Sequence, residues 1–92
     1  MKAVKVTLKG KNGKEFEALV PIEVACMAMY CGAYYNDSRI SRIGYSVVRK
    51  IHDFYISNTT EAEEINRANY FMGLMEREER MVCPSGVELY RD

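Results

Sequence analysis

Apolar and polar residues alternate with period two through residues 3–20, on both sides of a glycine-containing turn, which predicts a half-buried β-hairpin. Pairing Leu8 with Phe16, Val6 with Ala18 and Val4 with Val20 makes one face continuously apolar. The other face then sets Lys9 against Glu15 and Thr7 against Glu17. The loop in this register is Lys11-Asn12-Gly13, a three-residue connection with glycine at the left-handed position, where it costs least. A two-residue Asn-Gly turn would slip the pairing by one and set Leu8 against Glu17, so the three-residue loop is the expected one.

Pro21 suits the first turn of a helix, where its missing N–H would have had no partner, and residues 22–35 continue as a first helix. With one charge and apolar residues nearly all round, this helix is expected to be the centre of the core, with Met27, Met29 and Tyr30 filling it. Asn36, Asp37 and Ser38 end it and cap a second helix over residues 38–56. There Ile40, Ile43, Val47, Val48, Ile51, Phe54 and Tyr55 gather on one side, while Arg39, Arg42, Ser46, Arg49 and Lys50 lie on the other. Thr60 and Glu63 fit a capping box for a third helix over residues 60–82. Its apolar residues fall on two sides: Ile65, Ala68, Phe71, Met72, Met75 and Val82 on one, Tyr70, Leu74 and Met81 on the other. After a break at Cys83-Pro84-Ser85-Gly86, residues 87–90 form a short third strand expected to pair with the hairpin. The predicted fold is a single α+β domain, an N-terminal hairpin packed on a three-helix core.

Composition adds little that the pattern lacks. The 92 residues are 48% hydrophobic and 28% charged, a balance suited to a folded domain and unsuited to disorder or collagen. Thirteen basic side chains against thirteen acidic ones remove any global attraction to nucleic acid or acidic lipid, and only a local basic patch would supply one. Residues 1–20 and 37–58 are net basic and residues 59–82 net acidic, so the acidic helix offers a counterweight to the basic segments. Three cysteines, two of them inside an apolar helix, fit a reducing cytoplasmic setting better than a disulfide framework. The longest apolar run, residues 24–31, is well short of the ~18–20 residues that span a bilayer, and no membrane association is expected.

Candidate chemistry is sparse. Cys26, Cys31, Cys83 and His52 lack the close pairs that mark a zinc site, and the Gly10–Lys14 loop joins two strands instead of opening a helix as phosphate loops do. His52 sits at the flank of the second helix, and its neighbour Asp53 points about 100° away, which argues against an oriented catalytic pair. The glutamates of the third helix, interleaved with Arg67, Arg77 and Arg80, fit a solvated face. No enzyme, metal or cofactor is therefore expected. Two binding surfaces remain. Seven tyrosines and six methionines suit adaptable contacts, and the Tyr70, Leu74 and Met81 side is the expected protein interface, through which the chain forms a homodimer or meets another protein. The leading expectation is a small cytoplasmic interaction module acting by stoichiometric binding, in the manner of phage or mobile-element inhibitors of a host factor, anti-CRISPR-like proteins among them. The alternative is a nucleic-acid or nucleotide binder using Arg39, Arg42, Arg49 and Lys50, with Tyr45 beside them for stacking. The first helix, polar turn and second helix echo a helix-turn-helix, but Asn36 to Ser38 act as a cap in place of the polar readers a recognition helix carries.

Overall fold

The computed structural model describes residues 2–31 and 38–92, the side chains of Tyr30 and Cys31 excepted. The chain runs β1 (Ala3–Lys9), β2 (Glu15–Pro21), α1 (Ile22–Cys31), β3 (Arg42–Gly44), α2 (Tyr45–Ser57), α3 (Ala62–Arg77), β4 (Arg80–Val82) and β5 (Glu88–Tyr90). It is an α+β fold in which a two-stranded hairpin and a small mixed sheet flank three helices.

The hairpin has the predicted register: Leu8 faces Phe16, Val6 faces Ala18 and Val4 faces Val20. Gly13 has φ +82°, and the turn closes through Gly10 N–H to Lys14 O (2.8 Å) and Gly13 N–H to Gly10 O (2.9 Å). The Val4, Val6 and Leu8 side packs on the helices, while Lys5, Thr7, Lys9, Glu15, Glu17 and Leu19 are exposed. Ala25, Ala28 and Met29 of α1 are buried against α2 and α3, and α1 contributes to the core as expected. Met27 does not: it is 51% exposed, on the opposite side of the helix from Met29. The predicted continuation of α1 over residues 32–35, the cap at Asn36 and Asp37, and the proposed core role of Tyr30 lie outside the described residues.

The second and third helices are both shorter than the periodicity suggested. Residues 42–44 form a strand and α2 begins at Tyr45, with Gly44 at its N-cap in extended conformation (φ −72°, ψ 151°). Ile40 and Ile43 are buried as predicted, but from a loop and a strand. The third helix ends at Arg77, and Glu78 is extended at ψ 146°. Residues 80–82 then pair antiparallel with residues 88–90, Met81 opposite Leu89. The turn between them repeats the chemistry of the first hairpin. Cys83 N–H bonds Val87 O (2.8 Å), Gly86 N–H bonds Cys83 O (2.8 Å), and Gly86 has φ +91°. Pro84 and Ser85 thus sit in a second three-residue loop with glycine last. Cys83-Pro84-Ser85-Gly86 is accordingly a hairpin turn and not only a helix breaker.

The C-terminal strand also has a different partner from the expected one. β5 is the centre of a separate three-stranded sheet, parallel to β3 and antiparallel to β4, in the order β3-β5-β4. Leu89 of β5 is fully buried beside Ile43 of β3. The capping box at Thr60 and Glu63 is absent: Glu61 is the N-cap of α3, and its N–H goes to Thr59 Oγ1 at 3.3 Å. The hydroxyl of Thr59 in turn donates to Glu64 Oε2 at 3.0 Å, so Thr59, and not Thr60, ties the chain to the first turn of α3.

Candidate functional site

The core side of α3 is Ala68, Phe71, Met72 and Met75, all buried. Its outward stripe, at spacings of three and four, is Glu63, Arg67, Tyr70, Leu74 and Arg77. Tyr70 at its middle is 65% exposed, and Leu74 is half-buried. Glu63 and Arg67 form an ion pair at 3.1 Å. Gly73 leaves a notch one turn from Tyr70, over which the Arg77 guanidinium lies 3.8 Å from where a Cβ would be. Met81 does not belong to this stripe. Helix α3 ends before it, and in β4 it turns inward onto the core while Val82, assigned to the core side by helical spacing, is 58% exposed. The change of period from 3.6 to 2 reverses the two residues.

The basic residues of the predicted second helix are dispersed. Only Arg49 and Lys50 are on α2. Arg49 pairs with Glu76 of α3 at 2.7 Å, whereas Lys50 is exposed and makes no ion pair among the described residues. Arg42, on β3, stacks over the Tyr90 ring (4.2 Å to the centroid) with its Nε 3.6 Å from Glu88. Tyr45 is buried, its hydroxyl donating to Glu78 O at 3.0 Å, and so offers no stacking platform; burial also raises its pKa. Arg39 is carried to the tip of the first hairpin, where its carbonyl accepts the Lys11 N–H at 2.7 Å and its guanidinium lies 4.1 Å over the Phe16 ring. A surface pocket of about 370 Å³ opens there, lined by Lys11, Asn12, Lys14, Glu15, Phe16 and Arg39.

Two polar clusters lie between the helices. His52 is buried, with Nε2 2.8 Å from Asn69 Oδ1 and Nδ1 3.0 Å from Asp53 Oδ1. The two neighbours therefore do meet, contrary to the helical-wheel expectation, because the exposed Asp53 carboxylate folds back to the ring edge. The second hydrogen bond, to α3, makes His52 a bridge between helices. Tyr55, also buried, donates to Glu64 Oε2 at 2.8 Å with Cys26 Sγ 3.3 Å away. Burial, then the contacts with Cys26 and Glu64, push its pKa far up, so the ring stays a neutral donor. Sequence periodicity placed Tyr55 in the core and held no signal for its polar partners, which come from α1 and α3. Among the described residues no three His, Cys, Asp or Glu side chains converge as a metal site. No helix among them is long and apolar enough to cross a membrane. No family model, curated protein or solved structure matches the chain.

Proposed function

We propose that this chain is a non-catalytic protein-interaction module that acts by stoichiometric binding through the outward stripe of α3. The observation that carries this is Tyr70, 65% exposed at the centre of a stripe that also holds Arg67, Leu74 and Arg77. Tyrosine and arginine dominate binding energy at interfaces because each combines large contact area with directional hydrogen bonding.

The stripe is also self-complementary. If a second copy of α3 packs antiparallel about a twofold axis at Tyr70, Glu63 of each copy meets Arg77 of the other, and Arg67 lies over the notch at Gly73. Charges of opposite sign are then opposed at both ends, which favours a homodimer as the first occupant of this surface. The helix has 16 residues and is about 24 Å long. One such helix pair buries less than the roughly 1,200–2,000 Å² of a stable interface, so the affinity should be micromolar.

Sedimentation across a micromolar concentration series tests this. The wild type is expected to dimerise, Glu63→Arg to be a folded monomer, and Glu63→Arg combined with Arg77→Glu to dimerise again. A wild type that is monomeric throughout rules out the dimer. The interaction reading then stands only if a protein captured by the wild type is lost on Tyr70→Ala and retained on Lys50→Ala.

A further inference from the structure

The tip of the first hairpin brings together three cations that are far apart in the sequence, Lys11 and Lys14 from the turn and Arg39 from the segment before β3. From these residues we infer a binding site for a phosphate group, carried either by a free nucleotide or by the backbone of a single-stranded nucleic acid.

Three observations support the site. First, its geometry is fixed by the backbone. The Lys11 N–H bonds Arg39 O at 2.7 Å, and the close approach needs Gly10, where a Cβ would lie 3.0 Å from Asn12 Oδ1, 3.3 Å from Lys14 O and 3.5 Å from Arg39 O. Second, donors are available. The ammonium groups of Lys11 and Lys14 make no ion pair among the described residues. Asn12 uses its Oδ1 on the Lys14 N–H at 3.0 Å, which leaves its Nδ2 hydrogens to donate. Third, the guanidinium of Arg39 lies over the Phe16 ring, 4.1 Å from its centroid, a cation–π contact that holds it at the tip before a ligand arrives. Among the described residues that line the pocket Glu15 is the acidic one, and it stands across the ladder from Lys9. About 370 Å³ is room for a phosphate with a sugar or base attached, and the opening to solvent also leaves a path for a strand.

A three-residue hairpin loop with two lysines is ordinarily only a turn. The addition of Arg39 and Phe16 turns it into a lined pocket, and this also relocates the basic surface that the sequence suggested for the second helix. The site is independent of the α3 stripe, since none of its residues belongs to α3.

The test is a titration of the isotopically labelled chain with inorganic phosphate, ATP and an oligothymidylate, followed by backbone amide shifts. Shifts centred on residues 10–16 and on Arg39 are expected. Lys11→Gln with Lys14→Gln should weaken binding about tenfold or more while melting is unchanged, because each lost contact is a charge-assisted one. Arg49→Gln with Lys50→Gln should bind as the wild type does. If the oligothymidylate binds more tightly than ATP, and its salt slope falls by about 2 in the double lysine variant, the phosphate is that of a nucleic acid. Tighter binding of ATP assigns the site to a nucleotide. Absence of shifts at the tip with all three probes, or wild-type affinity in the double lysine variant, overturns the proposal.

Discussion

Arg91 and Asp92 are adjacent in sequence and cap helix ends of opposite polarity. The Asp92 carboxylate accepts the Ser46 N–H at 3.1 Å and the Ser46 hydroxyl, at the first turn of α2. The Arg91 guanidinium donates to the carbonyls of Glu76 and, at 3.3 Å, Glu78, at the end of α3. An anion thus faces the positive end of one helix dipole and a cation the negative end of the other. Gly44, the N-cap of α2, has no side chain to serve its own helix, and the cap is supplied from 48 positions away in the sequence.

Asp92→Ala should therefore destabilise the fold by about 1 kcal/mol, the usual worth of an N-cap, in chemical denaturation. The hydrogen bond from Ser46 holds the Asp92 carboxyl below its ordinary pKa of 3.8. A folded-state pKa lower than the unfolded one gives stability that is present above about pH 4 and is lost as pH falls through the folded value. Asp92→Asn should remove that part of the acid limb, leaving a flatter stability curve below about pH 4.

Gly44→Ala should destabilise the protein through Asp92. A Cβ at residue 44 would lie 2.8 Å from Asp92 Cγ, too close for both to remain in place. The alanine evicts the cap, so its cost should be about 1 kcal/mol alone and far less in an Asp92→Ala background. Additive costs in the double-mutant cycle would show that the two residues do not compete for the same space.

Met29→Asp should abolish cooperative melting. Met29 is 1% exposed, and an unpaired buried carboxylate costs about 3–5 kcal/mol, much of the stability of a small domain. Met27→Asp, two positions away on an exposed part of α1, should melt as the wild type does. Unfolding of both variants would place residue 27 in the core after all.

Tyr55→Phe should change the alkaline limb. The hydroxyl of Tyr55 is neutral in the fold at pH values where an exposed tyrosine ionises, since burial and its neighbours raise its pKa from 10.0. The resulting stability is complete below about pH 10 and is lost as pH climbs above it, because the unfolded chain gives up the proton first. The phenylalanine variant should be less stable at neutral pH by about 1 kcal/mol, the worth of one hydrogen bond, and should decline less steeply above about pH 10.

The elements that were legible in the sequence are those whose information is local. The first hairpin requires alternation, one glycine and a register in which apolar side chains oppose each other, and all three lie within residues 3–20. The buried sides of α2 and α3 follow from helical spacing in the same way, as Val48, Ile51, Ala68 and Met75 show, whereas α1 is apolar nearly all round and its spacing did not separate the exposed Met27 from the buried Met29. The second hairpin was equally local, with Pro84 and Gly86 bounding its turn and Met81, Cys83, Val87 and Leu89 alternating around it. Its strands have only three residues each, too few for alternation to stand out against the helical spacing that runs into them.

Ile40 and Ile43 are compatible with a helix or a strand, since both conformations bury them. The choice belongs to β5, whose N–H and C=O groups are a distant partner for residues 42–44 and give that segment the hydrogen bonds a first helical turn would otherwise have supplied. The same contact removes Arg39 and Arg42 from the helix surface. The tertiary structure alone places Arg39 beside Lys11 and Lys14, and Asp92 at the start of α2, because neither juxtaposition leaves a periodicity to read. Hydrophobic burial selects faces, and faces repeat along the chain; single charges and backbone hydrogen-bond partners are matched in space, where sequence separation carries no signal.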